Sequence, residues 1–204
     1  MVGIEKISLF NLKNLLKMET MSKTTVNGFR QEDIVGTINA IQENPEIAKF
    51  AFRVRNKWIT GGHNQATIKD FYGGGQEDTS REKAWVFDNG EPPILLGNNE
   101  GANPVEYLLS ALSGCMTTTM ALHAAARGIE IESIESRFEG DLDVQGFLGL
   151  SEQVRNGYQQ IRVTFDIKGD LTDEQKHELI VFAQNSPVYD VVTNGTQVEV
   201  SLAE

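Results

Sequence analysis

The stretch NPVEYLLSALSGCMTTTMALHAAARG, residues 103–128, is the most legible part of the sequence. Asn103 is a favourable N-cap, Pro104 suits the first helical turn, and Glu106 occupies the capping-box position. A glycine follows the last turn, where helices commonly stop. The stretch therefore predicts a helix from Pro104 to Arg127, about 36 Å long. Its sides are almost all apolar or small, which is typical of a helix buried under a sheet or against a second subunit.

In the regions on either side of this helix, apolar and polar residues alternate with a period of two, which predicts strands. Strands are expected within residues 49–97, with a hairpin at Thr60–Asn64, and again within 129–144, 158–168 and 197–202. A second helix is expected over Leu171–Ala183, capped by Thr172, with Gln175 at the capping-box position. The order of elements predicts an α+β fold with mainly antiparallel sheets.

The first 47 residues differ from the rest and predict an N-terminal helical extension, with a second domain over residues 48–204. Ile34, Ile38 and Ile41 recur at helical spacing before Pro45. Residues 1–20 predict an amphipathic helix, because lysines interrupt their apolar residues and no cleavage site follows.

Composition narrows the classes of function. The net charge of −11 repels phosphate backbones and anionic lipids, so we expect neither nucleic acid nor membranes as partners. Cys115 is the only cysteine, which excludes an internal disulfide and suits a reducing cytoplasm. The three histidines lie far apart in the sequence, so we expect no metal and no cofactor.

Cys115 allows two interpretations. A free cysteine inside an apolar helix is most often a small buried hydrophobe. Such a thiol lies too far from the helix N-terminus to gain from its dipole, so activation would need a cation or a donor from elsewhere.

Several motifs, in their order and spacing, resemble the OsmC/Ohr family over about residues 50–203. The central signature spans 103–115 and continues through 123–129, and shorter similarities lie at 155–157, 186–190 and Asn194. Segments 77–81 and 92–97 are similar to one OsmC-like subgroup. The resemblance implies antiparallel sheets packed around a long central helix, in an intertwined homodimer.

The resemblance also implies a reaction. In fully active members, the cysteine of the central helix attacks an organic hydroperoxide and becomes a sulfenic acid. A second cysteine, just before a proline, then closes a disulfide that an external dithiol reduces.

This sequence departs from that pattern at three places. Ser186 stands before Pro187 where the second cysteine is expected, so a resolving thiol would have to come from outside. Val105 replaces an acid, and the neighbouring Glu106 would face away from Cys115 on a straight helix. Glu106 is therefore either a capping residue or a group that reaches the thiol of a partner subunit.

The third departure concerns the cation that holds the thiolate in the peroxidases, which is an arginine after Gly-Gly. Here His63 follows Gly61-Gly62. Arg81 is the substitute candidate, with surface ion pairing as its alternative role. His63 is either a functional group or an ordinary turn residue.

Two functions follow from these residues. The first is a thiol-dependent, peroxidase-type antioxidant protein that reduces organic hydroperoxides through Cys115 with an external thiol reductant. The alternative is a non-catalytic OsmC-like dimer that binds a small hydrophobic molecule in a cleft near Cys115. Leu112, Ser186 and Tyr189 are expected to contribute to that binding site. A hydrolase finds no support, because no Gly-x-Ser-x-Gly motif is present.

Overall fold

Residues 24–203, the part of the chain that this computed structural model describes, form nine strands and five α-helices. The elements are β1 (Thr25–Val26), β2 (Phe29–Arg30), α1 (Gln31–Glu43), β3 (Arg55–Thr60), β4 (His63–Ile68), β5 (Phe71–Gly73), β6 (Gln76–Asp78), β7 (Trp85–Asn89), α2 (Pro104–Ala126), β8 (Ser133–Asp141), α3 (Val144–Phe147), β9 (Gln160–Lys168), α4 (Asp173–Ala183) and α5 (Pro187–Asn194). Short 3-10 turns occupy Pro45–Ala48 and Pro93–Leu95.

All strand pairs are antiparallel and fall into small sheets. β3, β4 and β7 form a three-stranded sheet in that order, and β1–β2, β5–β6 and β8–β9 form two-stranded sheets. The β8–β9 ladder is the longest and runs in unbroken register from Ser133 opposite Lys168 to Asp141 opposite Gln160. The predicted α+β class with antiparallel sheets is confirmed.

The long central helix begins and ends as its sequence predicts. The Asn103 side chain accepts a hydrogen bond from the Val105 amide at 2.9 Å, and the Glu106 carboxylate accepts one from the Asn103 amide at 2.9 Å. α4 starts with the predicted capping box between Thr172 and Gln175. Local capping therefore determines where both helices begin.

The described part of the chain divides into two compact units, residues 24–31 with 109–203, and residues 32–108. The first unit contains the hydrophobic core. Leu112, Met116 and Met120 lie on one stripe of α2 and are buried, together with Leu179 and Phe182 of α4. Apolar residues of β8, β9 and α5 pack against this cluster.

The second unit contains β3–β7 and α1. None of its large apolar side chains is buried, and every residue of β3 is exposed on both faces of the strand. The predicted boundary between residues 47 and 48 stays a prediction.

The N-terminal segment differs in part from the helix predicted for it. α1 confirms the helical spacing of Ile34, Ile38 and Ile41, whereas Thr25–Arg30 form a β-hairpin. Asn27 and Gly28 have positive φ angles of 50° and 84°, as a tight hairpin turn requires. The predicted helix over residues 1–20 lies outside the described residues.

This hairpin is joined to the end of the central helix. The Asn27 side chain donates to the Ile129 carbonyl and accepts from the Ile131 amide, both at 2.9 Å. The buried side chain of Gln31 donates to the carbonyl of Ala125 at 2.7 Å. These bonds connect the hairpin to the last turn of the helix and to the residues that follow it, where the Ala125 carbonyl also accepts the Gly128 amide at 3.1 Å.

The strand predicted over Gln197–Leu202 is not formed within residues 24–203. The alternation is present, but Val198, Val200 and Leu202 are exposed and the segment pairs with no described strand. A period of two indicates which side chains share a face, but it does not provide a neighbouring strand.

Candidate active site

Cys115 lies in the interior of α2 and is a free, half-buried thiol. Its neighbour Met116 belongs to the buried stripe of the helix, whereas nothing packs close to Gly114. The thiol therefore lies at the border between the packed stripe and an open face of small residues. This position is compatible with a reactive thiol, since a fully buried cysteine would be inert.

The predicted binding residues belong to the packed side of this unit. Leu112 is buried in the core, and Tyr189 of α5 packs against the same cluster. Ser186 is fully buried, and its hydroxyl accepts a hydrogen bond from the Tyr189 amide at 3.3 Å as the N-cap of α5. The structure thus brings Leu112 and Tyr189 into one cluster and gives Ser186 a capping role.

Glu106 lies in the first turn of α2, where its carboxylate bonds the Asn103 amide. Nine residues separate Glu106 from Cys115, which on a continuous helix is about 13.5 Å along the axis and half a turn around it. The two side chains of one chain therefore leave the helix on opposite sides.

His63 is the first residue of β4 and is anchored to β7. Its Nε2 lies 2.9 Å from the Asp88 carboxylate, which also accepts a hydrogen bond from the side-chain amide of Gln65 at 3.2 Å. The bonds from His63 and Gln65 lower the pKa of the Asp88 carboxyl. Tyr107 donates its hydroxyl to the backbone carbonyl of Asp88 at 2.9 Å. His63 is thus an oriented imidazole, and sequence reasoning missed its partner Asp88, which lies 25 positions away.

Arg81 is held by aromatic rings. Its guanidinium carbon lies 4.9 Å from the centre of the Phe71 ring and 5.0 Å from that of Trp85. One of its nitrogens, Nη1, donates to the Lys69 carbonyl at 2.5 Å. The predicted surface ion pair of Arg81 is not formed with any residue of 24–203.

His123 is a core histidine two turns beyond Cys115. Its ring lies 5.1 Å from the ring of Phe182, over which Arg127 also stacks at 4.3 Å. Burial, together with the charge of Arg127, lowers the pKa of His123 from 6.5 to about 4. The imidazole is therefore neutral at neutral pH.

Within residues 24–203, no group of three or more His, Cys, Asp or Glu side chains is arranged to hold a metal ion. Among the same residues, no helix combines the length and apolar character that a bilayer crossing needs.

The model of the family described as OsmC-like protein matches residues 97–201, which include α2, Cys115 and the whole β8–α5 region. The chain belongs to the OsmC-like family. No protein of curated function matches its sequence.

Solved structures share the OsmC-like fold at low sequence identity. An OsmC-like protein from Mycoplasma pneumoniae is 15% identical, with a TM-score of 0.54 over 75% of this chain and 96% of that one. An OsmC-like protein of unknown function from Vibrio cholerae is 13% identical, with a TM-score of 0.53 over 70% of this chain and 94% of that one. At these identities the likeness shows the fold alone.

Proposed function

We propose that this OsmC-like protein reduces organic hydroperoxides through Cys115, with an external thiol as reductant. The observation that carries the proposal is the position of the only cysteine, half-buried on α2 inside the OsmC-like match. Because thiol reductants are abundant in a reducing compartment, the proposal includes a cytoplasmic site of action in the response to oxidative stress.

The proposed chemistry has two stages. The Cys115 thiolate attacks the outer oxygen of ROOH, the O–O bond breaks, and the protein sulfenic acid and the alcohol ROH are formed. An external thiol then displaces water from the sulfenic acid to give a mixed disulfide, and a second thiol releases Cys115. Two electrons pass from the reductant to the peroxide in each cycle.

Ser186 explains why the reductant must act directly on Cys115. A serine hydroxyl cannot form a disulfide, and this one is buried as a helix cap. The sulfenic acid is therefore expected to persist until an external thiol arrives.

Three polar side chains are proposed to assist the reaction at Cys115, namely Glu106, His63 and Arg81. Since Glu106 faces away from Cys115 of its own helix, we propose that it acts on the thiol of a second copy of the chain. His63, oriented by Asp88, is proposed as a hydrogen-bonding group, and the always-charged Arg81 is proposed as the cation, for the same reaction.

A homodimer is therefore part of the proposal, and three features support it. Among residues 24–203, β3 pairs with β4 alone, and its side chains are exposed, including Trp58 and Ile59. The open face of α2 is lined by small residues such as Gly114 and Thr118, which allow another helix to approach closely. The C-terminal segment 197–202 has strand-like alternation without a paired neighbour among the described residues.

A second function, binding of a small hydrophobic molecule without catalysis, is favoured by the engagement of the polar groups. Glu106 caps its helix, His63 is bonded to Asp88, and Arg81 is held by two rings and a carbonyl. In this alternative, the ligand contacts the partly buried Tyr189 beside the core residue Leu112, and Cys115 does no chemistry.

The two functions can be distinguished by measuring whether the protein turns over cumene hydroperoxide with dithiothreitol or glutathione as reductant. The product alcohol is quantified over time. If the protein is a peroxidase, the unchanged chain is expected to form many molecules of alcohol per molecule of protein. Cys115→Ser is expected to form none above background. Equal rates for the two proteins would contradict the peroxidase proposal.

A gain-of-function variant makes the test sharper. In Ser186→Cys, one equivalent of peroxide is expected to produce an internal disulfide with Cys115, detected by mass spectrometry as a loss of two hydrogens. Ser201→Cys, in the exposed C-terminal segment, is the matched control that is expected to form no such internal bond. Equal yields of disulfide in both variants would argue against the family geometry at position 186.

A further inference from the structure

The sequence contains four Asn-Gly pairs, at residues 27–28, 89–90, 156–157 and 194–195. In such a pair the backbone nitrogen of the glycine can attack the side-chain amide of the asparagine, because glycine has no Cβ to hinder the approach. The attack has two requirements. The asparagine side chain must be able to turn towards the backbone, and the glycine N–H must not be held in a hydrogen bond.

The fold holds the first two pairs in hydrogen bonds. The Asn27 side chain is bonded through both its oxygen and its nitrogen to the backbone that follows α2, at 2.9 Å each. The Asn89 side chain donates to that of Asn64 at 3.1 Å, and the amide of the buried Gly90 donates to a backbone carbonyl at 3.2 Å. Each pair must lose at least one of these bonds before the attack can occur.

The pair at the C-terminal end of α5 is held in the same way. The Asn194 side chain donates to the Asp190 carboxylate at 2.8 Å. The Gly195 amide donates to the Val191 carbonyl at 2.9 Å, which continues the hydrogen-bond pattern of the helix. A nitrogen whose proton is donated in this way cannot attack the side chain until that bond breaks.

The pair Asn156–Gly157 differs from the other three. Asn156 is exposed in the loop between α3 and β9. Among residues 24–203, neither its side-chain amide nor the backbone amide of Gly157 has a hydrogen-bond partner. Both groups that the reaction needs are therefore solvated and are not held by the rest of this unit.

The backbone is anchored on both sides of this pair. The Arg155 carbonyl packs against Gly146, where a Cβ would lie 2.5 Å from the carbonyl oxygen. On the other side, the Gln159 amide donates to the Asp141 carbonyl at 2.7 Å. Residues 156–158 thus form a short bridge between two fixed points.

The exposed residues that precede this bridge in the sequence are polar. Glu152, Gln153 and Arg155 are exposed together with Asn156. This polar stretch differs from the exposed apolar sheet β3–β4–β7, because the cores of interfaces between copies are poor in charged residues. The pair is therefore expected to stay accessible to water.

We propose that Asn156 is a site of spontaneous deamidation, with water as the only co-reactant. The Gly157 nitrogen bonds to Asn156 Cγ, the C–N bond of the side-chain amide breaks, and ammonia leaves with the proton of the Gly157 nitrogen. Water then opens the resulting cyclic imide at either carbonyl, which gives aspartate or isoaspartate. One water is consumed, one ammonia is released, and nothing is oxidised or reduced.

The reaction changes both the charge and the length of the bridge. Each product carries a new carboxylate, and isoaspartate also adds one carbon to the backbone between the two fixed points. The protein is therefore expected to accumulate a more acidic form with time. This site goes beyond the peroxidase proposal and does not depend on a reactive Cys115.

The first test uses the unchanged full chain in mildly alkaline buffer, with and without urea. Proteolytic peptides are followed over time by mass spectrometry, in which each deamidation adds about 1 Da. In the folded protein, Asn156 is expected to react at least about tenfold faster than Asn27, Asn89 or Asn194, because no hydrogen bond has to break first. In urea, the four rates are expected to lie within a few-fold of one another.

Two outcomes of this test would overturn the proposal. One is a rate at Asn156 no higher than the rates at the other three pairs in the folded protein. The other is the same ratio of rates with and without urea, since the fold would then not select the site. Isoaspartate is expected at position 156 by electron-transfer fragmentation, and aspartate alone would contradict the route through the imide.

A substitution of the glycine tests the attacking group. Gly157→Ala is expected to slow the reaction at Asn156 about tenfold or more, because the new methyl group hinders the approach of the nitrogen. The site accepts the methyl group, since φ lies outside the left-handed region and the nearest atom, Nη2 of Arg155, is 3.8 Å from the added Cβ. Gly36→Ala, which adds the same methyl group at an open position of α1, is the control and is expected to leave the rate unchanged. An unchanged rate at Asn156 in Gly157→Ala would overturn the proposal.

Discussion

The two units of this chain use similar amounts of apolar sequence in opposite ways. In residues 24–31 with 109–203, α2, α4 and the β8–β9 ladder build a core in which Met120, Leu179 and Phe182 are fully buried. In residues 32–108, none of the large apolar side chains is buried, and Phe52 and Trp58 stand largely in solvent.

The difference shows what periodicity can and cannot determine. Alternation and helical spacing determine which side chains share a face, and both units have such faces. Burial requires a second surface, which the first unit supplies from its own helices. We propose that a second copy of the chain covers the sheet β3–β4–β7, since exposed apolar area of this kind marks an interaction surface.

The largest predicted effect distinguishes the buried apolar residues of the first unit from the exposed apolar residues of the second. Phe182→Ala is expected to lower the free energy of unfolding by about 3–5 kcal/mol, because it empties a fully buried site in the first unit. Phe52→Ala, the matched substitution in the second unit, is expected to weaken self-association and to change the unfolding of the monomer by less than about 0.5 kcal/mol. Urea denaturation and sedimentation equilibrium at several protein concentrations measure these two quantities.

The comparison between units would fail if Phe52→Ala destabilised the monomer as much as Phe182→Ala. It would also fail if the unchanged chain sedimented as a 22.6 kDa monomer at high concentration.

A second prediction concerns the core histidine of the first unit. Because the pKa of His123 is lowered from 6.5 to about 4, the folded protein does not bind a proton there between these values, whereas the unfolded chain does. Stability is therefore unaffected by this group above pH 6.5 and is lost as the pH falls towards 4, by at most about 3 kcal/mol.

Urea midpoints between pH 4.5 and 7.5 measure the effect. His123→Gln is expected to flatten this part of the profile, and His177→Gln, at an exposed position of α4, is expected to leave it unchanged. A profile that keeps its slope in His123→Gln would show that other groups cause the acid sensitivity.

The smallest predicted effect tests whether the N-terminal hairpin belongs to the first unit. Gln31→Ala removes the 2.7 Å hydrogen bond to the Ala125 carbonyl and is expected to destabilise the fold by about 0.5–1.5 kcal/mol. The loss is modest because that carbonyl still accepts the Gly128 amide at 3.1 Å. Gln42→Ala, at an exposed position of the same helix, is the control and is expected to be neutral. Equal urea midpoints for both variants would make the hairpin a peripheral appendage.

Local signals in the sequence account for most of the fold. The capping residues Asn103, Glu106 and Thr172 are neighbours in sequence of the groups they bond, so α2 and α4 could be predicted with their starting points. The hairpin at Val26-Asn27-Gly28-Phe29 also has a local signal, the Asn-Gly pair, which was outweighed by the helical spacing that follows it.

Most details of the candidate site could not be predicted, because they depend on residues distant in sequence. The pairing of His63 with Asp88 requires β4 and β7 to lie in register, and the position of Arg81 requires two rings from different strands. Sequence identified Cys115, His63 and Arg81 as residue types suited to thiol chemistry, but not the groups that hold them.

The most direct test of the central claim is the single-turnover reaction of the reduced protein with cumene hydroperoxide, in which dimedone traps any sulfenic acid at Cys115. The account predicts a dimedone adduct on Cys115 that forms faster than the adduct of free cysteine under the same conditions and is absent in Cys115→Ser. Adduct formation no faster than that of free cysteine would contradict the claim that Cys115 is the reactive centre and would favour ligand binding without catalysis.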